Sequence, residues 1–473
     1  MKKITSFILL TCLMLTVVVT TLFCAGLVLA QDKSYQNFLN NKEQYGVPLG
    51  DLLREAEKDL QIKIVWDKKV EPYLEEKVIM APWKFWNDPV RRLSYFLAPF
   101  DLSFEQVDDT TWRVFEPWYY VRPEAEAKAH LDRLARQYST KELWETRKVT
   151  LKSTILEKMR LTNVPRDVQN ANVSEKRVYD GYSVRNVALE ILPGYFVNGN
   201  LYEPLAEGKF PVVLCPHGHG VLGRFGETQQ IRSSVLARMG AVVFAYNMFA
   251  WRLEDQPLPK EAHADPISGT IQTLQTMRAI DWLTTLPNVD GSRIGITGAS
   301  GGGTQTFLGT ALDPRITVSV PVVMVSAHFY GGCPCESGIP FHILHGGTCN
   351  AEVAAMAAPR PMKIIAVTQD WTKNVPEVEF PYIQKIYDFY GAKEKVEFSY
   401  FDEKHGYSEA MRKAMYPFMA KHLQLDLNLA DETKVTVEPI EKMTYWGPER
   451  ENYPKNAIQT LDELKEVFQK SIQ

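Results

Sequence analysis

Cysteine is scarce in this chain. Six occur in 473 residues, and with Cys12 and Cys24 inside an apolar leader only Cys215, Cys333, Cys335 and Cys349 remain. Four thiols cannot frame a fold of this length, so a buried apolar core must hold it. Runs of basic charge are also missing. The 53 Lys and Arg are balanced by 57 Asp and Glu, for a net charge of −4, which excludes the basic footprint of a nucleic-acid binder. Beyond residue 30 no stretch is long and apolar enough to cross a bilayer. Internal repeats and low-complexity tracts are absent too, which leaves a chain long enough for more than one ordinary domain.

What is present is a serine boxed in by glycine. Ile294-Gly295-Ile296-Thr297-Gly298-Ala299-Ser300-Gly301-Gly302 carries the pattern G-x-S-x-G at Gly298, Ser300 and Gly302. A serine on a sharp turn between a strand and a helix exposes its hydroxyl, and the crowded backbone then leaves no room for side chains two residues either side. The turn signal Asp290-Gly291-Ser292 precedes the apolar run, and 304–312 reads as a helix. Strand, tight turn and helix make Ser300 the candidate nucleophile, with the Gly301 N–H as one oxyanion donor.

The other parts follow in order. Residues 178–203 read as paired strands with turns at Asp180-Gly181 and Asn198-Gly199. Pro211-Val212-Val213-Leu214-Cys215 is a strand apolar on both faces, and it runs into Pro216-His217-Gly218-His219-Gly220. Glycines there let a backbone N–H approach a bound oxygen, so Gly218 or His219 supplies the second oxyanion donor. A further buried strand over 241–245 opens into an aromatic loop where Trp251 and Arg252 are candidate substrate contacts, because ligands bind beyond the C-terminal ends of such strands. The strand over 362–367 ends at Asp370-Trp371, and the last strand, 396–401, ends at His405. Asp370 is the acid expected to orient a His405 general base; Asp402 and Glu403 compete but lie close to the histidine in sequence. Trp371 joins the candidate substrate contacts. Helical stretches between the strands call for an α/β fold with a doubly wound, mostly parallel sheet. The insertion 326–350, rich in Gly, Cys and His, is expected to cap the site.

Among the cysteines, Cys215 is expected to be a buried core residue, and Cys349 with Cys333 or Cys335 to form a bridge. Cys333-Pro334-Cys335 with His328, His342 and His345 nearby also raises a metal, but the spacing fits no standard zinc pattern, so no metal is counted.

Lys2 and Lys3, the apolar stretch 4–30 and Val28-Leu29-Ala30 before Gln31 read as a secretory signal, with an uncleaved membrane anchor as the alternative. Phe23 before Cys24 argues against a lipoprotein. Residues 47–116 form a small α+β domain in the order helix, strand, strand, helix, hairpin, with Asp108-Asp109 at the hairpin turn. Residues 117–165 read as a helical connector, 166–430 as the catalytic domain and 431–473 as a C-terminal extension.

The motifs PVVLCPHGHG, RIGITGASGGG, DWTKN and DEKHGY over 178–423 resemble the α/β-hydrolase superfamily, in the chain order Ser300, Asp370, His405. More narrowly the chain resembles acetyl xylan esterases and dienelactone hydrolase-like esterases. The latter use a cysteine where this chain has Ser300. The resemblance implies a serine esterase needing no cofactor, acting on acetylated sugars or polysaccharides, and the leader implies that it is exported. Prolyl oligopeptidase-type peptidases share the triad order but carry a large propeller ahead, for which the N-terminal region is too short. A docking protein that merely kept the fold would not need the full residue set. The 47–116 module, opening PLGDLLREAEKDLQIKIVWD, resembles the small N-terminal domain of secretins and TonB-dependent transducers, which implies a protein partner.

Overall fold

The structure is a computed structural model. It describes residues 46–79, 87–97, 100, 102–115, 121–164, 170–251, 256–337, 340–343, 347–447 and 452–472. The leader read as a signal lies outside these. The chain divides into two compact units, Met1–Pro117 and Trp118–Gln473.

In the first unit, Leu49–Leu60 is a helix because Leu49, Leu52, Leu53 and Ala56 recur on one face, and all four are fully buried. They share a core with Leu93, Phe96 and Leu97 of the helix Pro89–Leu97. Strand Lys63–Trp66 runs parallel to Thr111–Phe115, which closes a hairpin with Ser103–Gln106. Asp108 sets the hairpin turn by accepting the Thr110 and Thr111 N–H groups at 2.9 and 2.8 Å, and those bonds hold its carboxyl down at about 2.

The second unit is built on a ten-stranded sheet. In chain order the strands are β1 (Ala171–Val173), β2 (Arg177–Val178), β3 (Tyr182–Leu192), β4 (Tyr195–Pro204), β5 (Phe210–Leu214), β6 (Val242–Tyr246), β7 (Val289–Ala299), β8 (Ile316–Val322), β9 (Met362–Gln369) and β10 (Val396–Lys404). Across the sheet the order is β10-β9-β8-β7-β5-β6-β4-β3-β1, with β2 also on β3. The six strands from β10 to β6 are mutually parallel, and β4, β3 and β1 add antiparallel. This is the α/β-hydrolase arrangement of a doubly wound sheet.

Alternation along β5 divides the core in two. Val212 and Leu214 pack on the face covered by helices α4 (Ile267–Leu283) and α5 (Gly301–Leu312), while Val213 and Cys215 pack on the face covered by α3 (Glu227–Arg238) and α6 (Glu409–Leu423). Cys215 is fully buried, as expected of a small core residue.

One expected turn is not one. Asn198-Gly199 lies inside β4, and the reversal comes at Pro193-Gly194, where Gly194 has φ +75°. Gly199 is there for space: a Cβ would sit 2.5 Å from the Phe244 ring. Asn198 Nδ2 donates to the Tyr453 hydroxyl at 3.2 Å, and Asn200 Nδ2 donates to Asn186 Oδ1 at 3.0 Å. The Asx-Gly pair that signals turns in isolation was overridden by tertiary packing.

Helices α1 (Glu124–Gln137) and α2 (Lys141–Lys158) pack within this second unit. Arg147 of α2 pairs with Glu352 through Nε and Nη2, each at 2.9 Å, and Glu352 also accepts from Tyr138 and Thr348 at 2.8 and 2.6 Å. Glu352 is fully buried. Removing one partner of a buried, hydrogen-bonded pair costs about 3–5 kcal/mol. Glu352→Ala is therefore expected to lose stability on that scale in urea unfolding, with a surface control such as Glu409→Ala within about 0.5 kcal/mol.

A second buried acid carries a pH dependence. Glu379 accepts the Ala327 N–H at 2.8 Å through Oε1, while Oε2 has no hydrogen-bond partner among the described residues. Burial pushes its carboxyl up from 4.5 to about 7. The folded state keeps the proton up to that pH and the unfolded chain does not. The contribution is therefore present in full below pH 4.5 and lost on the way to pH 7. The loss amounts to about 3 kcal/mol. In Glu379→Gln that slope disappears, so the variant gains on the native protein in unfolding midpoint between pH 4.5 and 8; parallel curves would contradict the assignment.

Candidate active site

The G-x-S-x-G turn is shaped by one carbonyl. A Cβ on Gly298 or on Gly302 would lie 2.4 Å from the Pro216 oxygen, so the neighbouring strand end approaches only because both positions lack side chains. Ser300 itself has φ +57° and ψ −126°, a conformation that costs a non-glycine residue about 1–3 kcal/mol and is held by its surroundings. Its N–H donates to Val322 O at 3.1 Å, and its carbonyl accepts from Thr304 N at 2.9 Å as α5 begins.

Because β5 and β7 are adjacent and parallel, their C-terminal loops meet. A Cβ on Gly218 would come within 2.8 Å of the Ser300 Cβ, and one on Gly301 within 3.0 Å of the His219 ring. Gly218, His219 and Gly301 thus flank the serine. His217, which sequence reasoning passed over, is buried and fixes this loop. Its Nδ1–H donates to Gly218 O at 2.8 Å and its Nε2 accepts the Met248 N–H at 2.9 Å. Burial holds its pKa down to about 4, so the ring is neutral and both bonds persist at neutral pH. Beyond the loop, buried Arg224 donates to Asn247 Oδ1 at 2.6 Å and to Met443 O at 3.0 Å.

β9 and β10 are also adjacent and parallel, with Gln369 opposite Lys404, so Asp370 and His405 leave the sheet side by side. His405 Nδ1 lies 2.7 Å from Asp370 Oδ2. Asp370 Oδ1 accepts the N–H and the hydroxyl of Thr372, both at 2.6 Å. The side chain of Asp370 is 2% exposed and that of His405 32%, so the acid is sealed while the imidazole opens outward. The competing Asp402 turns instead to the Thr368 hydroxyl at 2.5 Å. Tyr407, two residues after His405, bonds the Thr297 hydroxyl at 2.8 Å, which ties the histidine loop to the nucleophile strand three residues before Ser300.

No family model matches the chain. The acetyl esterase Axe7A of Xylanibacter ruminicola is 27% identical over 168 residues, which are 32% of this chain and 38% of that protein. The chain thus spans well under two thirds of that curated relative. The solved structure of methylesterase BT1017 is 35% identical, with a TM-score of 0.70, over 91% of this chain and 98% of that one. The chain belongs to the esterase family of methylesterase BT1017.

Around the site of this esterase, Trp371 stacks on Phe329 with centroids 4.0 Å apart and lies 4.4 Å from the His405 ring. Trp251 meets His219 edge-on at 4.6 Å and donates its indole N–H to Gly220 O at 3.2 Å. Trp251 therefore borders the serine loop and Trp371 the His405 ring; Arg252 lies outside the described residues, as does His345.

The insertion 326–350 does reach the site. Glu336 Oε1 lies 3.1 Å from where a Gly301 Cβ would stand and 3.4 Å from His219 Nδ1. Burial pushes this carboxyl up to about 7. The same desolvation, then the charges of His263, His217 and His405, holds His219 down to about 3. The expected bridge to Cys349 does not form: Cys349 is free and buried at the start of the short helix Asn350–Ala355, while the Cys333 and Cys335 sulfurs are joined to each other across Pro334. Both sulfurs face His219 and His263. These four side chains come from three separate segments of the chain.

Proposed function

We propose that the chain is an exported serine esterase that hydrolyses esters carried on sugar residues, with Ser300 as nucleophile, His405 as general base and Asp370 as its orienting acid. The observation that carries this reading is the His405–Asp370 pair, anchored through Tyr407 to the strand that presents a strained Ser300. Ser300 Oγ attacks the ester carbonyl as its proton passes to His405 Nε2, and Asp370 stabilises the imidazolium through Nδ1–H. The N–H of Gly301 with that of Gly218 or His219 binds the oxyanion. The alcohol leaves with the proton from His405, and a water deprotonated by the same ring then releases the acid from the acyl-enzyme.

Between ester types, a methyl ester of a sugar carboxylate is the first reading, because the relative matched along nearly its whole length is named a methylesterase. Removal of acetyl groups is the second, supported by the shorter match to an acetyl esterase. A peptidase reading has no comparable support. The leader would direct export, and the N-terminal module, by its resemblance to secretin and TonB-type domains, would dock a protein partner.

The test is an ester panel on the purified chain: methyl uronate oligosaccharides, acetylated xylan oligosaccharides, p-nitrophenyl acyl esters and peptides. Methanol release in preference to acetate supports the first reading and the reverse supports the second. Peptide cleavage without ester turnover overturns both.

A further inference from the structure

Beside the serine loop lies a cluster of side chains that ester hydrolysis does not use. His219, His263, Cys333 and Cys335 each offer one ligand atom, and these atoms all lie within 4.8 Å of one another. His219 Nε2 is 3.1 Å from His263 Nε2 and 3.2 Å from each sulfur, and His263 Nε2 is 3.6 Å from the Cys333 sulfur. Bonds of about 2.0–2.3 Å to imidazole and thiolate place the corners of a tetrahedron about 3.3–3.8 Å apart. These four separations are close to such edges, while the two sulfurs are joined to each other in the disulfide form.

The outer partners indicate what belongs at the centre. His263 Nδ1 is 2.5 Å from Phe249 O, a carbonyl that can only accept, so this nitrogen carries the proton and Nε2 presents a lone pair. His219 Nδ1 faces Glu336 Oε1, a buried oxygen with no hydrogen-bond partner among the described residues. In the tautomer with its proton on Nδ1, His219 serves that oxygen and presents Nε2 as a second lone pair. In that tautomer two imidazole lone pairs face one another with two sulfurs beside them, and they repel unless a cation lies between. An imidazole whose second nitrogen is held by a carboxylate or a carbonyl is the outer support that metal-ligating histidines require.

We propose that the dithiol form of Cys333-Pro334-Cys335, together with His219 and His263, binds a single zinc-class divalent cation in a closed four-ligand site. Zn2+ displaces one proton from each thiol to solvent, so two thiolates balance the two charges of the ion. Soft sulfur with imidazole selects zinc over magnesium or calcium. Four protein ligands leave no open position, so the role is structural. The ion joins the serine-flanking loop at His219, the turn Lys260–Ala264 and the capping insertion, and it holds the His219 backbone in place beside Gly301. The joined sulfurs are the alternative state of the same pair: a phosphine reductant with one water converts the disulfide to two thiols and the phosphine oxide. This inference is independent of which ester is cleaved.

The experiment loads the full chain, phosphine-reduced under argon, with Co2+ and then with Zn2+. The expected result is stoichiometric uptake, a thiolate-to-cobalt charge-transfer band with tetrahedral visible bands, and bleaching of both when Zn2+ displaces Co2+. Cys333→Ser/Cys335→Ser and His263→Gln abolish the charge-transfer band and tight zinc uptake, respectively, while circular dichroism confirms a folded chain. Absence of the cobalt spectrum in the reduced, folded native chain overturns the proposal, as does a band that survives the double cysteine variant. Since the readout is spectroscopic, a failed ester assay leaves it intact.

Discussion

Ser300→Ala is expected to lower kcat on the preferred ester by about 10^4- to 10^6-fold, with substrate binding retained. The side chain lost is one oxygen, and little else changes. The strained φ of +57° at this residue is set by its N–H bond to Val322 and by the glycines packed against Pro216, not by the hydroxyl. Alanine tolerates that backbone no worse than serine, so folding stability should move by less than about 0.5 kcal/mol. Burst kinetics with a p-nitrophenyl ester provide the check. The native chain should show an acyl-enzyme burst, and the variant none, with only the slow turnover that oxyanion donors supply. Retention of more than about one percent of kcat would remove Ser300 from the mechanism.

Asp370→Asn is expected to cost about 10^3- to 10^4-fold in kcat at nearly unchanged stability, and the reason lies in the donors around the acid. Oδ1 already accepts the N–H and hydroxyl of Thr372 at 2.6 Å, so an asparagine must keep its carbonyl oxygen there and turn its NH2 toward His405. Nδ1 then has to accept instead of donate. The proton moves to Nε2, which is the atom that must take the serine proton. Asp402→Asn is the matched control, because that carboxylate serves Thr368 and its loss should change kcat less than about twofold. The pH profile separates the cases: a tautomer defect lowers the plateau, whereas an inert position leaves the whole curve in place. A tenfold or smaller loss in Asp370→Asn, or a larger one in Asp402→Asn, would move the acid role to another residue.

The parts of the site that sequence made legible share one property: local crowding leaves a local trace. Gly298 and Gly302 are glycines because Pro216 O would meet any Cβ at 2.4 Å, and a steric demand of that kind appears as a motif. Strand alternation was legible for the same reason, since Val212 and Leu214 must face one core and Val213 and Cys215 the other. His217 left a weaker trace. It stood in the glycine loop, but only its bonds to Gly218 O and Met248 N distinguish a buried positioning residue from a surface histidine.

Other readings failed where distant segments meet. Asn198-Gly199 has turn composition, yet β3, β4 and β6 pair around it and absorb it into a strand. Cys349 was expected to reach Cys333 or Cys335, but its place at the head of a buried helix commits it to the core. His263 and Glu336 had no signal at all, because both meet His219, which lies 44 residues before His263 and on a different segment from the insertion that carries Glu336.

By itself, then, the amino-acid order determined the strand and helix alternation, the glycine-bounded serine and the order in which serine, acid and histidine occur, since each rests on periodicity or on sterics within a few residues. The tertiary structure decided which carboxylate holds His405, which residues wall the serine loop, and that two histidines and two cysteines converge beside it. Those outcomes depend on which strand ends become neighbours in the sheet, and strand neighbourhood is a long-range packing result that no local pattern encodes.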